Sequence, residues 1–255
     1  MKTRSIGVIE ALALSCLMLA LAACGSSGNG GAATAPSAPS AEGLWIGSTN
    51  DSRSVTGLVL DDGTYWILYS VQHASSLTAG FVEGSGSSLG GSFSSSNGID
   101  FNVEGRGINA TTLAASYMAK QSLDGSVTYP TLNQTFTFTT TYNAEYEQTP
   151  SVSAIAGTYV GIASVVGSSE LTTVAVNSPG VIAGTGNSGC KFFGTIQPRA
   201  RGNVYDLSLS FSGPCPSGTS SVSGIGYFDS GAKRLSLVAL TQSRSNGLIF
   251  TGTQP

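Results

Sequence analysis

An all-β chain is predicted: two antiparallel meander modules, the C-terminal one an eight-stranded up-and-down β-barrel. Three observations predict it. Charged residues make up only 10% of the 255 residues, and 34 residues are glycine, against usual shares of about 25% and about 7%. Serine, threonine and asparagine fill the difference, a composition suited to strands and turns. No segment carries a sustained 3.6-residue apolar period. Finally, Gly43-Leu44-Trp45-Ile46-Gly47 is echoed by Gly157-Thr158-Tyr159-Val160-Gly161, and each opens a half with a similar order of strand and turn signals.

The chain begins with Lys2 and Arg4 ahead of an apolar stretch from Ala11 to Ala23. That is the layout of a secretory signal over residues 1–23, too short for a spanning helix of about 20 apolar residues. Its end, Leu21-Ala22-Ala23-Cys24, resembles the lipobox of bacterial lipoproteins. The resemblance implies cleavage before Cys24, a diacylglycerol thioether on its sulfur, and a palmitate-like acyl chain on the new amine. Cys24 is therefore the expected lipidation site and the membrane contact. One myristoyl-sized chain binds only marginally, and several chains anchor stably. Gly25 stands where inner-membrane retention uses aspartate. For a Gram-negative source this implies the outer membrane, with the body either surface-exposed or facing the periplasm. Residues 24–42 are a lipidated Gly/Ser/Ala/Pro-rich tether without a large apolar residue.

The N-terminal β module is expected over residues 43–147. Val55–Leu60 and Thr64–Ser70 flank Asp62-Gly63, a dipeptide suited to a type I′ hairpin turn. Further apolar runs are Ile99–Val103, Leu113–Met118 and Thr135–Tyr142, while residues 84–96 are too rich in glycine and serine to fix strand limits. Residues 148–156 form the linker, and the C-terminal barrel module occupies 157–255. Its strands parse as Thr158–Ser164, Leu171–Asn177, Val181–Gly186, Cys190–Gln197, Val204–Phe211, Val222–Phe228, Arg234–Thr241 and Leu248–Gly252. Eight such strands can close without leaving an edge.

Cysteine usage tests that parse. Cys16 leaves with the signal and Cys24 takes lipid, so Cys190 and Cys215 remain as a disulfide in an oxidising compartment. The midpoint between them falls at Gly202-Asn203, which predicts a two-residue hairpin turn. In that register Ile196 faces Leu209, Gly194 faces Phe211, and Cys190 faces Cys215. Phe192, Ile196, Leu207, Leu209 and Phe211 then share the core face, and Asp206, Ser208 and Ser210 point outward. A transmembrane barrel needs an apolar exterior, so a soluble body on a tether is expected.

Residues that carry chemistry are few. Without residues 1–23 the chain has 9 basic and 13 acidic residues, a net charge of −4, and only Arg199/Arg201 and Lys233/Arg234 bring basic residues close together. A nucleic-acid surface needs a clustered patch, so that partner is rejected. His73 is the only histidine and reads as a solvated loop residue. Asp61-Asp62-Gly63 reads as a hairpin tip, and Glu145-x-Glu147 supplies too few oxygens for calcium. Gly184-Thr185-Gly186-Asn187-Ser188-Gly189 matches a dinucleotide pattern, but strand-like Cys190-Lys191-Phe192-Phe193 follows where the motif needs a helix. No catalytic residue, metal site or cofactor is expected, and the chain reads as non-enzymatic.

Together the lipobox, the glycine-rich tether and the barrel-like modules resemble surface lipoproteins of the factor H-binding protein and transferrin-binding protein B type. That resemblance implies binding of a host or surface protein, with no binding residue carried over. Gly43-Leu44-Trp45 separately resembles the Gly-x-Trp opening of lipocalins, whose barrels can hold a small apolar ligand. Three readings stand: a binding lipoprotein engaged in adhesion or host interaction, a carrier of a small apolar ligand, and an envelope-structural or assembly lipoprotein. A large apolar cavity favours the carrier. Filled cores with an exposed aromatic patch favour the binding protein.

Overall fold

The computed structural model describes residues 39–215 and 221–255. The signal, Cys24 and most of the tether lie outside the described residues. Two closed antiparallel barrels follow one another along the chain.

The first barrel runs through β1 (Gly43–Thr49), β2 (Ser54–Val59), β3 (Thr64–Val71), β4 (Ala74–Ser85), a short β5 (Ser87–Leu89), β6 (Ser92–Asn102), β7 (Gly107–Met118), β8 (Ser122–Tyr129) and β9 (Gln134–Tyr142). Except for β4 and β5, neighbours in sequence pair in order, β1 pairs with β9, and β4 pairs with β6. Eight strands thus close the ring, while β5 only extends the hairpin into β6. The second barrel comprises β10 (Gly157–Val165), β11 (Ser168–Asn177), β12 (Val181–Gly186), β13 (Lys191–Pro198), β14 (Tyr205–Ser212), β15 (Ser221–Asp229), β16 (Arg234–Leu240) and β17 (Gly247–Thr253), with β10 closing on β17.

The repeated opening motif does the same work in both barrels. Trp45 and Tyr159 are fully buried, and each ring seals the end at which the chain arrives. Trp45 Nε1 donates to the Ala41 carbonyl at 2.9 Å, and the Tyr159 hydroxyl donates to the Ile155 carbonyl at 2.9 Å. The bonded carbonyl lies four residues upstream in both cases. Two positions on, Gly47 and Gly161 let the first strand lie flat against the last. A Cβ on Gly47 would strike the Thr139 carbonyl oxygen, and one on Gly161 would strike that of Thr251. Only glycine permits so close an approach of backbones.

Two turns differ from the sequence expectation. Asp62-Gly63 does not form a two-residue type I′ turn. Leu60 N bonds the Thr64 carbonyl at 2.8 Å and Gly63 N bonds the Leu60 carbonyl at 3.0 Å, with positive φ at Gly63 alone of the two. This is the three-residue loop with glycine in the left-handed position. The β13–β14 hairpin is also shifted: Ile196 faces Leu207, Gly194 faces Leu209 and Phe192 faces Phe211. Arg199 N bonds the Val204 carbonyl at 2.9 Å, so the loop takes in Ala200 to Asn203. Asn203 N is held at 2.9 Å by the Tyr146 carbonyl, and this outside contact sets the wider loop. Because side chains alternate with period two, a shift of two residues leaves every predicted core residue on the core face. Cys190 and Cys215 are disulfide-bonded with Cα atoms 4.4 Å apart, joined by a turn at Gly213 beyond β14 rather than by facing each other across the ladder.

The outer walls of the barrels meet in a shared apolar seam. Leu44, Leu58, Trp66, Phe81 and Phe101 from the first pack with Val204, Ile225, Val238, Leu240 and Ile249 from the second. The Phe81 and Phe101 rings stack at 5.0 Å. Ion pairs fasten the margins: Arg244 with Glu83 at 2.6 Å, Arg201 with Glu42 at 2.6 Å, and Arg199 with Asp61 at 3.0 Å. Between the barrels run a 3-10 turn, Ala144–Glu147, and α1, Val152–Ile155. Asn143 and Ser151 cap them through side-chain oxygens that accept from Glu145 N and Ala154 N. Buried Ile155 then plugs the second barrel.

Candidate functional site

Inward-facing residues fill both barrels. Trp45, Tyr65, Phe93, Leu113 and Tyr117 occupy the first, leaving a void of about 10 Å³. Tyr159, Ile182, Phe192, Leu209 and Phe250 occupy the second, with about 30 Å³ left at its disulfide end. Ligand pockets for drug-sized molecules run about 300–1,000 Å³. Neither interior has room for an apolar cargo of that size.

The first barrel is different at the end away from residues 39–42. Between the β1–β2, β6–β7 and β8–β9 turns a mouth of about 60 Å³ opens. Its walls are apolar: Val55, Ile67, Val82, Val127, Phe136 and Phe138. At its floor sits Asp100, 2% exposed. The strand pattern explains why. In Ile99-Asp100-Phe101-Asn102 the apolar residues face the seam between barrels, so the polar ones must turn inward.

Asp100 receives two phenolic hydrogen bonds, from Tyr69 to Oδ1 at 2.7 Å and from Tyr129 to Oδ2 at 3.2 Å. Asn102 Nδ2 donates to the Tyr69 hydroxyl at 3.0 Å, and Asn102 Oδ1 accepts from the backbones of Glu104 and Arg106. Burial raises the Asp100 pKa to about 6, with the two tyrosine hydroxyls holding it from rising further. Tyr69 and Tyr129 are themselves raised, first by burial and then by the Asp100 charge. No ion pair reaches Asp100 among the described residues. The nearby cation Arg53 is committed elsewhere: Asp51 at 3.0 Å, Glu104 at 2.7 Å and the Ser70 carbonyl at 2.9 Å. Its guanidinium carbon lies 5.6 Å from the Tyr69 ring centre. Arg106 is exposed at the rim.

Two outer surfaces stand out. A cleft of about 410 Å³ separates the barrels on one side, walled by hydroxyls such as Thr56, Ser75, Ser76, Thr78, Ser236 and Thr251. On the second barrel, the outward side of β10–β13 carries the exposed residues Val160, Ile162, Leu171, Val181 and Phe193, with Phe193 59% exposed. Register places Leu171 beside Ile162 and Phe193 beside Ala183.

The residues singled out from sequence are placed as follows. Cys24 lies outside the described residues, and Cys190 and Cys215 form the disulfide. His73 is exposed in the β3–β4 turn with φ 58°. Asp61 and Asp62 both reach Arg199 at the seam margin, and Asp62 also accepts from Thr64 N. Glu145 and Glu147 have separate partners, Tyr227 and Lys120. Residues 184–186 end β12 and residues 187–189 lie in the turn to β13, with strand on both sides. Among the described residues no group of three His, Cys, Asp or Glu residues is placed to hold a metal. Asp100, Tyr69 and Tyr129 were not legible as a group, because they lie on three different strands. The one available signal was a carboxylate between the apolar residues Ile99 and Phe101.

No protein-family model and no curated protein matches the chain. A solved structure from Bacteroides fragilis, of a protein provisionally named as an outer membrane protein, is similar at 15% identity. The match covers 84% of this chain and 96% of that one with a TM-score of 0.27.

Proposed function

We propose that this chain is a lipid-anchored outer-membrane protein that binds a protein or another surface component and performs no catalysis. One observation carries the reading: the barrels are packed with their own side chains, so recognition falls to their outer surfaces and to the open mouth. The exposed face around Phe193 supports it, since apolar residues gathered on one sheet face mark interaction surfaces. The lipobox resemblance at Cys24 supplies the anchor.

The arrival of the chain fits this role. The Tyr117 hydroxyl donates to the Pro39 carbonyl at 2.8 Å, Ala41 N donates to Ser88 Oγ at 3.0 Å, and Ala41 is fully buried. The segment that would continue from a tether is therefore fixed to the sealed end of the first barrel. Its mouth opens at the opposite end.

Metabolic labelling with palmitate tests the anchor. The wild-type chain should take up label and sediment with membranes, and Cys24→Ala should do neither. Equal labelling of both would remove the lipoprotein reading.

A further inference from the structure

We propose that the open mouth of the first barrel receives an organic ammonium cation, seated by the Asp100 carboxylate and the rings of Tyr69, Tyr129 and Phe136. The proposal rests on the reading of the chain as a binding protein and names the ligand chemistry of one of its sites.

Charge gives the first argument. An ionised carboxylate offers about four acceptor directions, and the tyrosines use one on each oxygen. Asp100 lines the mouth, and no ion pair adds to these two bonds among the described residues. A buried charge without an opposite charge is costly, and a cation entering the mouth would supply one.

The walls give the second. Tyr69, Tyr129, Phe136 and Phe138 all line the opening, and Tyr129 meets Phe136 edge to face at 5.8 Å. Aromatic faces attract cations within about 6 Å, and the Arg53–Tyr69 contact already uses this attraction on one ring. Competing ligand classes fit less well. An anion would face both Asp100 and the negative ring faces. A hydrocarbon would leave the carboxylate desolvated and unpaired. A calcium ion needs six to eight oxygens, and Asp100 is the one carboxylate at the floor. An alkylated ammonium satisfies carboxylate and rings together.

Size agrees. The charges lining the mouth balance, Asp51 and Asp100 against Arg53 and Arg106, and Arg53 is already held by Asp51 and Glu104. The space, about 60 Å³, admits a compact head while the rest of a ligand stays outside.

The test uses the full chain purified in a non-ionic detergent. Tetramethylammonium and choline are titrated by calorimetry, with 3,3-dimethylbutanol as the uncharged counterpart of choline. The expected result is saturable binding of both cations at one site, with the alcohol about tenfold weaker or worse. Asp100→Asn removes the charge that attracts the quaternary nitrogen and should weaken both cations about tenfold or more. Phe136→Leu, which keeps an apolar wall without a ring, should weaken them about threefold and serves if the first variant fails to fold. Absence of saturable cation binding, equal affinity for the alcohol, or cation affinity unchanged in these variants would overturn the proposal. None of these outcomes depends on the anchor, so failure here is separate from failure of palmitate labelling.

Discussion

Asp100 is a carboxyl placed where its neutral form is the more comfortable one, because the walls around it are apolar and no cation touches it. Its folded pKa of about 6 stands above the ordinary 3.8. A raised pKa means that the folded chain holds the proton more tightly than the unfolded chain. The stability from this group is complete below 3.8 and is lost as pH rises through about 6. The full difference corresponds to about 3 kcal/mol. Denaturant unfolding of the wild type should therefore gain stability relative to Asp100→Asn as pH falls from 7.5 to 4. A difference between the two that stays constant with pH would place Asp100 in a wetter site than the one described.

At the scale of strands, barrel closure depends on glycine at the meeting of first and last strands. Gly47→Val or Gly161→Val should cost about 2–3 kcal/mol through overpacking against the facing backbone, measured as a shift in denaturant midpoint. The disulfide spans 25 residues, and the chain-entropy model assigns such a loop about 3 kcal/mol. Replacing Cys190 and Cys215 together by serine should lower stability by about that amount without disturbing β13 and β14, whose pairing does not include them. Most strands were legible because their alternation and turns are local. The second barrel's strands appear within a few residues of their expected limits, and the repeat between Gly43–Gly47 and Gly157–Gly161 marks matching strands. What local pattern could not give was loop length. The Ala200–Asn203 loop is set by a bond to Tyr146, which belongs to the segment between barrels. Residues 84–96 were illegible for a related reason. There the end of β4, all of β5 and the start of β6 have mostly serine and glycine, and an irregularity between Ser95 and Gly98 breaks the period.

At the scale of the molecule, the two barrels share an apolar core. Apolar residues on both outer walls, from Leu44 to Ile249, are buried against the other barrel. Phe101→Ala should cost about 3–5 kcal/mol, and the loss should register in the unfolding of both barrels at once. Separate transitions with only the first destabilised would mean that the seam contributes little. The mouth was hidden from sequence by the same seam, since it turns Ile99 and Phe101 outward and leaves Asp100 inside.

On the proposed function, this body binds a component at the cell surface from a lipid anchor. Protease treatment of intact cells tests it most directly, with an epitope placed after Pro255 and permeabilised cells as control. Loss of the epitope on intact cells is the predicted result. Survival until permeabilisation would contradict it and place the body in the periplasm.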